Sequence, residues 1–184
     1  MPNEAIDPRI DKILFTKEEL EKKIYELSNW VNQTYANSSE LIVVGLLKGC
    51  LPFYAQLIKN INIDLITDFM IASSYDGTLK SSGNVKIILD LVTNIEGKDV
   101  LLVEDIVDTG RTISKTVSIL KSRNPKSLRV ITLLNKPSGR VVEFEPDKFG
   151  FLIEEEDDFV VGFGFDLEEK MRQFPYIGTI KKTS

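Results

Sequence analysis

Short, wholly apolar runs alternate along this chain with stretches of helical spacing, and that alternation predicts an α/β domain. Thr16 and Glu19 are set for a capping box, after which Leu20, Ile24, Leu27 and Val31 recur at helical spacing to about Tyr35. Asn37-Ser38-Ser39 breaks the pattern. Residues 41–47 then read as a buried strand that runs into Lys48-Gly49-Cys50. Pro52 suits a first helical turn, and Phe53, Leu57 and Ile58 give the segment to about Asn60 an apolar face. Further strand-like stretches lie at 63–72, 85–89, 100–103 and 128–134, with a helix over 110–121 and short strands at 149–153 and 159–161. The run Val100-Leu101-Leu102-Val103 has no polar member, as expected of a strand covered by helices on both faces. The order of elements predicts a parallel-centred sheet with helices on both sides. There is no internal repeat and no low-complexity tail.

The apolar run at 100–103 leads into chemistry. Glu104 and Asp105 are expected to end the strand, and Asp108-Thr109-Gly110-Arg111-Thr112 then precedes the helix that resumes at Ile113. Such a junction suits an anion: backbone N–H groups and the positive end of a helix dipole favour phosphate, and Thr109 and Thr112 can donate hydrogen bonds. Read without further context, the same stretch is an ordinary strand-to-helix turn with acids at its rim. In open α/β sheets ligands gather outside the carboxyl ends of the strands, so Lys48-Gly49 and 108–112 should face one crevice.

Composition narrows the reaction classes. At 184 residues the chain fits one domain, taken as 1–184, and its apolar runs are too short to cross a bilayer. The segment MPNEAIDPRIDKIL lacks the continuous apolar stretch of a secretory signal, so a cytoplasmic location is expected. Cys50 is the single cysteine and there is no histidine, which excludes an intrachain disulfide and disfavours zinc sites and histidine-activated nucleophiles. Cys50 itself reads as packing rather than redox chemistry. A net charge of −5 argues against a broad nucleic-acid footprint.

An acid-acid-X-X-Asp-Thr-Gly-X-Thr loop after an apolar strand resembles the 5-phosphoribosyl-1-pyrophosphate (PRPP) motif of the phosphoribosyltransferases, and the Glu-Asp-Ile-Val-Asp-Thr-Gly form resembles the purine-salvage branch, nearest to the bacterial hypoxanthine enzymes. Neither a P-loop nor a dinucleotide-binding glycine pattern occurs. The resemblance implies a type I phosphoribosyltransferase fold with a small hood made by the N-terminal segment and about 149–184. It implies that Glu104, Asp105, Asp108, Thr109, Gly110, Arg111 and Thr112 hold the ribose and 5′-phosphate of PRPP, with Asp108 as general acid/base at purine N7. Lys48, Gly49 and Arg172 match the pyrophosphate-binding positions, although Cys50 departs from the small residue common beside them. Ser74 and Tyr75 match the family's lid, in a polar loop over about 73–83.

On the base side, the resemblance implies that Lys136 meets the 6-oxygen, Phe159 stacks on the ring, Val160 reads its edge through the backbone, and Asp166 lies nearby. Glu104, Asp105 and Asp166 are the implied magnesium ligands. Taken alone, Lys136 is a surface lysine after a strand, Phe163 and Phe165 are core or subunit-contact rings, and the acids 154–158 form a solvated turn. The implied reaction is a glycosyl transfer from PRPP to hypoxanthine or guanine by a homodimer or homotetramer. A catalytically silent regulator of the same fold, binding nucleotide or RNA, is the alternative; it should carry an extra basic face.

Overall fold

The computed structural model describes residues 6–74, 85–154 and 159–181. Strands β2 (Leu41–Leu46), β3 (Leu65–Ser74), β4 (Val85–Leu89), β5 (Asp99–Val107), β6 (Ser127–Asn135) and β7 (Lys148–Leu152) form a six-stranded sheet in the order β4-β3-β2-β5-β6-β7. Every neighbouring pair is parallel except β3 and β4. The parallel-centred sheet expected from the pattern is therefore present.

Helices α1 (Lys17–Thr34) and α2 (Leu51–Ile58) cover one face, and α3 (Arg111–Lys121) covers the other. Leu41, Val43, Leu101 and Val103 pack with Leu20, Ile24, Leu27 and Phe53, whereas Ile42, Val44, Val100 and Leu102 pack with Ile113, Val117 and Leu120. Successive side chains of one strand thus enter opposite cores, which is why β2 and β5 read as unbroken apolar runs. Each such side chain contributes about 1.5–3 kcal/mol when fully buried, so a run of four pins the central strands firmly. The capping box is made: the Thr16 N–H donates to Glu19 Oε2 at 2.8 Å and the Glu19 N–H to Thr16 Oγ1 at 3.3 Å.

Three departures from the sequence reading bear on the site. First, β5 does not stop at Val103: Glu104 pairs with Thr132, Ile106 with Leu134 and Val107 with Asn135. Polar side chains can ride on the end of a buried strand when they open onto a crevice, so the acids sit on the strand rather than after it. Second, a small antiparallel sheet of β1 (Ile10–Phe15), β9 (Ile177–Ile180) and β8 (Val160–Val161) forms a hood, in the order β1-β9-β8. β1 was not anticipated because register shifts between Ile10/Lys12 and Ile13/Phe15 break its period of two. β9, at four residues, is too short to carry a pattern. Third, residues 148–152 pair in parallel with β6 and belong to the main sheet, so the C-terminal part of the hood begins later than expected. The rings of Phe15 and Phe151, stacked at 4.0 Å, join hood to sheet. No helix among the described residues is long and apolar enough to cross a membrane.

Candidate active site

The two acids late in β5 sit at the floor of a crevice, which Asp105 lines. Glu104 and Asp105 keep part of their surface there but are crowded by protein. Burial, with the neighbouring Asp105 charge, pushes the Glu104 carboxyl well above the usual carboxylate range. Burial also pushes Asp105 up to about 6, against the pull of backbone N–H groups and of the Arg172 guanidinium. The Ile106 N–H donates to Asp105 Oδ1 at 2.8 Å. Glu104 Oε2 is buried without a hydrogen-bond partner, an arrangement that costs stability and marks a surface awaiting a donor or a cation.

The loop after β2 closes on this floor. A Cβ on Gly49 would lie 1.6 Å from Asp105 Oδ2, so only glycine lets the loop lie against the acid. The Leu47–Lys48 peptide is cis. Cys50 is fully buried beside the acids, and burial first, then the Glu104 and Asp105 charges, pushes its thiol up, which makes it inert as a nucleophile. The expectation that Cys50 serves packing agrees with this environment.

On the other side of the floor, Asp108 leads into the loop that starts α3. Gly110 is the N-cap, at φ 79°, and the helix start has no side-chain cap. The Arg111 N–H donates to Thr109 Oγ1 at 3.4 Å, while Thr116 Oγ1 donates to the Thr112 carbonyl at 2.9 Å. The Asp108 carboxylate is packed on the turn Pro137–Gly139, where a Cβ on Gly139 would lie 1.8 Å from Asp108 Oδ1.

A cavity of about 290 Å³ opens between floor and hood, lined by Asp105, Ile106, Asp108, Lys136, Phe159, Val160, Phe165 and Asp166. An apolar slot with a few polar groups at one edge suits a small planar ligand. Phe159 is 55% exposed at its mouth, and Val160 is buried in β8. Lys48 and Arg172 do not reach this cavity; they line a second one, of about 590 Å³, with Leu51, Pro52, Phe69 and Gly164. There Arg172 Nη2 pairs with Asp166 Oδ1 at 2.7 Å, and Lys48 Nζ with Glu169 Oε2 at 2.8 Å. Arg172 Nη1 donates to the Gly164 carbonyl at 2.7 Å, but its Nε is buried without a partner.

Among the described residues no three acids, cysteines or histidines form a ready-made metal nest, so Glu104, Asp105 and Asp166 do not converge on one point by themselves. Ser74 is the last residue of β3. Tyr75 and residues 76–83 of the expected lid, and Glu155, Glu156, Asp157 and Asp158 of the acid run, lie outside the described residues.

Residues 12–170 match the family described as the phosphoribosyl transferase domain. The chain belongs to this family. The hypoxanthine-guanine phosphoribosyltransferase of Lactococcus lactis is 47% identical to it over 181 residues, covering 98% of this chain and 97% of that one. Among solved structures, a hypoxanthine phosphoribosyltransferase from Staphylococcus aureus superimposes with a TM-score of 0.91 at 41% identity, covering 98% and 97% of the two chains. That of Trypanosoma cruzi, solved with its product IMP, gives 0.89 at 33% identity, covering 96% and 97%.

Sequence reasoning missed several residues that shape the site of this phosphoribosyltransferase. Gly139 and Phe165 wall the cavity or its acid, Glu169 bridges Lys48 towards Arg172, and Arg140 grips the loop at 107–108. Gly139 and Arg140 lie in a polar loop with no periodicity, and Glu169 sits at φ 64° in a turn that no pattern announces. The one available signal was position: residues 136–140 follow β6 at the carboxyl edge of the sheet.

Proposed function

We propose that this chain transfers the phosphoribosyl group of PRPP to hypoxanthine and guanine, giving IMP or GMP and pyrophosphate. The observation that carries the reading is the cavity that has Asp108 and Lys136 on one side and Phe159 and Val160 on the other, directly beside the uncapped start of α3. The names of the relatives from Lactococcus lactis and Staphylococcus aureus support the same reaction.

The base lies in the cavity with Phe159 on its face and the backbone of Val160 at its edge. Lys136 donates to the 6-oxygen, which selects hypoxanthine and guanine and leaves adenine, with an amine there, without that bond. Backbone N–H groups and hydroxyls of Thr109, Gly110, Arg111 and Thr112 hold the 5′-phosphate at the helix start. Glu104 and Asp105 accept from the ribose hydroxyls, and Lys48, Gly49 and Arg172 hold the pyrophosphate; the orphaned Arg172 Nε and Glu104 Oε2 support those assignments. As purine N9 bonds to C1 of the ribose, the bond from C1 to the pyrophosphate oxygen breaks and its electron pair leaves with pyrophosphate. The proton on N7 passes to the Asp108 carboxylate. Orientation and charge complementarity to the oxocarbenium-like transition state supply most of the acceleration.

Magnesium fits the all-oxygen chemistry of this donor set, and one or two carboxylates among Glu104, Asp105 and Asp166 would hold it. When bound, it would neutralise charge developing on the leaving pyrophosphate. The family resemblance assigns Ser74 and Tyr75 to a lid. We take 1–184 as one phosphoribosyltransferase domain, cytoplasmic, and acting as a homodimer or homotetramer. Its acidic balance supports small-molecule substrates over nucleic acid.

Initial rates with PRPP, magnesium and each of hypoxanthine, guanine, xanthine and adenine test the reading. Pyrophosphate release with hypoxanthine or guanine, and kcat/KM for adenine lower by about 10⁴-fold, is expected. Equal turnover of adenine, or no release with any base, overturns it.

A further inference from the structure

Arg140 ties together the segments that border the phosphate loop. Its Nη1 donates to the main-chain carbonyl of Val107 at 2.7 Å and also to that of Asp108. Nη2 donates to Oδ1 of Asn135, the last residue of β6, and Nε donates to the Phe144 carbonyl at 3.0 Å. Asn135 is 3% exposed and in turn donates through Nδ2 to Glu145 Oε2 at 3.4 Å. The chain after Arg140 adds main-chain bonds of its own: the N–H groups of Val141 and Val142 donate to the Thr109 carbonyl at 3.0 and 3.2 Å. The Val142 carbonyl and Arg140 Cδ also press on Gly110, 2.9 and 3.2 Å from where a Cβ would stand.

We infer that Arg140 is a positioning residue for the 5′-phosphate loop and for Asp108, acting through their backbone rather than by touching substrate. In a trans peptide the carbonyl and the following N–H point in opposite directions. Holding the carbonyls of Val107 and Asp108 on one guanidinium therefore aims the N–H groups of Asp108 and Thr109 away from Arg140. Of these, the Thr109 N–H is the first of the donors assigned above to the 5′-phosphate. A guanidinium can serve carbonyls on separate segments at once because its donors form a rigid planar fork; an ammonium keeps the charge but not the fork. The inference rests on the assignment of 108–112 as the 5′-phosphate site made above.

The test compares wild type with Arg140→Lys, using ribose 5-phosphate, IMP and pyrophosphate as separate binding probes alongside steady-state kinetics and thermal unfolding. Arg140→Lys should weaken ribose 5-phosphate and IMP and raise KM for PRPP, each about tenfold, because a misaimed donor set loses orientation rather than charge. Its affinity for pyrophosphate, held on the other side of the acid floor, should stay within about twofold. Arg140→Ala with and without added guanidinium is the second measurement, with partial recovery of kcat/KM expected on addition. Unchanged ribose 5-phosphate and IMP affinity in Arg140→Lys, or a loss that falls equally on pyrophosphate and tracks the change in melting temperature, would overturn the inference. Failure of wild type to release pyrophosphate from PRPP and hypoxanthine would instead overturn the assignment beneath it.

Discussion

The two sides of the crevice are built in opposite ways. The phosphate side is one continuous stretch, from Glu104 on β5 to Thr112 in α3, and its anion-binding character comes from backbone geometry: a left-handed Gly110, an uncapped helix start and carbonyls turned back onto Arg140. The hood and pyrophosphate side is gathered from Lys48, Phe159, Val160, Asp166 and Arg172, and its character comes from side chains that pair with one another across a solvent-facing cavity. A contiguous backbone site is stiff and tolerates little change. A site of exposed ion pairs is adjustable, and each pair contributes little.

This difference orders the expected effects of substitution. Asp108→Asn sits on the stiff side and removes the proton acceptor without altering the loop, so kcat should fall by about 10²- to 10⁴-fold while IMP affinity changes little. Steady-state kinetics with an IMP titration checks this. Gly49→Ala, which would drive a methyl into Asp105, should cost about 10²-fold in kcat/KM through misplacement alone. Steady-state kinetics of Gly49→Ala beside wild type checks this. Lys136→Met should raise KM for hypoxanthine by about tenfold or more and narrow the gap to adenine, measured on the same base panel.

A smaller effect concerns stability and pH. Asp105 titrates near 6 in the folded chain, above its ordinary 3.8, and Glu104 is raised too, so the folded state binds more protons than the unfolded one between about 4 and 6. Stability contributed by Asp105 therefore falls as pH rises through that window, and Glu104, raised well above the usual carboxylate range by burial, loses stability in the same direction. The double variant Glu104→Gln, Asp105→Asn should melt a few degrees higher than wild type at pH 7, and the difference should shrink towards pH 4 while activity is lost. A lower melting temperature at pH 7 would contradict the desolvation described here. The smallest effect belongs to Glu169→Gln. Its pair with Lys48 is 62% and 65% exposed at the two side chains, so KM for PRPP should move by no more than about twofold.

The same difference explains how much was legible in the sequence. The central strands could be read because Leu41 to Val44 and Val100 to Val103 alternate between two cores, and the phosphate loop because its residues are neighbours in the chain. The end of β5 was misread because a charged residue normally terminates a buried strand, and here Asp105 lines a crevice while Glu104, beside it, is only partly exposed. β1 was hidden by its bulges. On the hood side, Lys136, Phe159 and Arg172 could be assigned only through the family resemblance, since nothing local distinguishes them from a surface lysine, an exposed ring and a paired arginine. Arg140 carried no signal at all, because its partners are backbone carbonyls brought near by the fold.

The decisive measurement is a crystal structure of the complex with IMP. The phosphate should lie on the backbone N–H groups of 109–112, with purine N7 within hydrogen-bond reach of the Asp108 carboxylate and the 6-oxygen against Lys136. Phosphate bound elsewhere, or a base whose N7 faces away from Asp108, would contradict it.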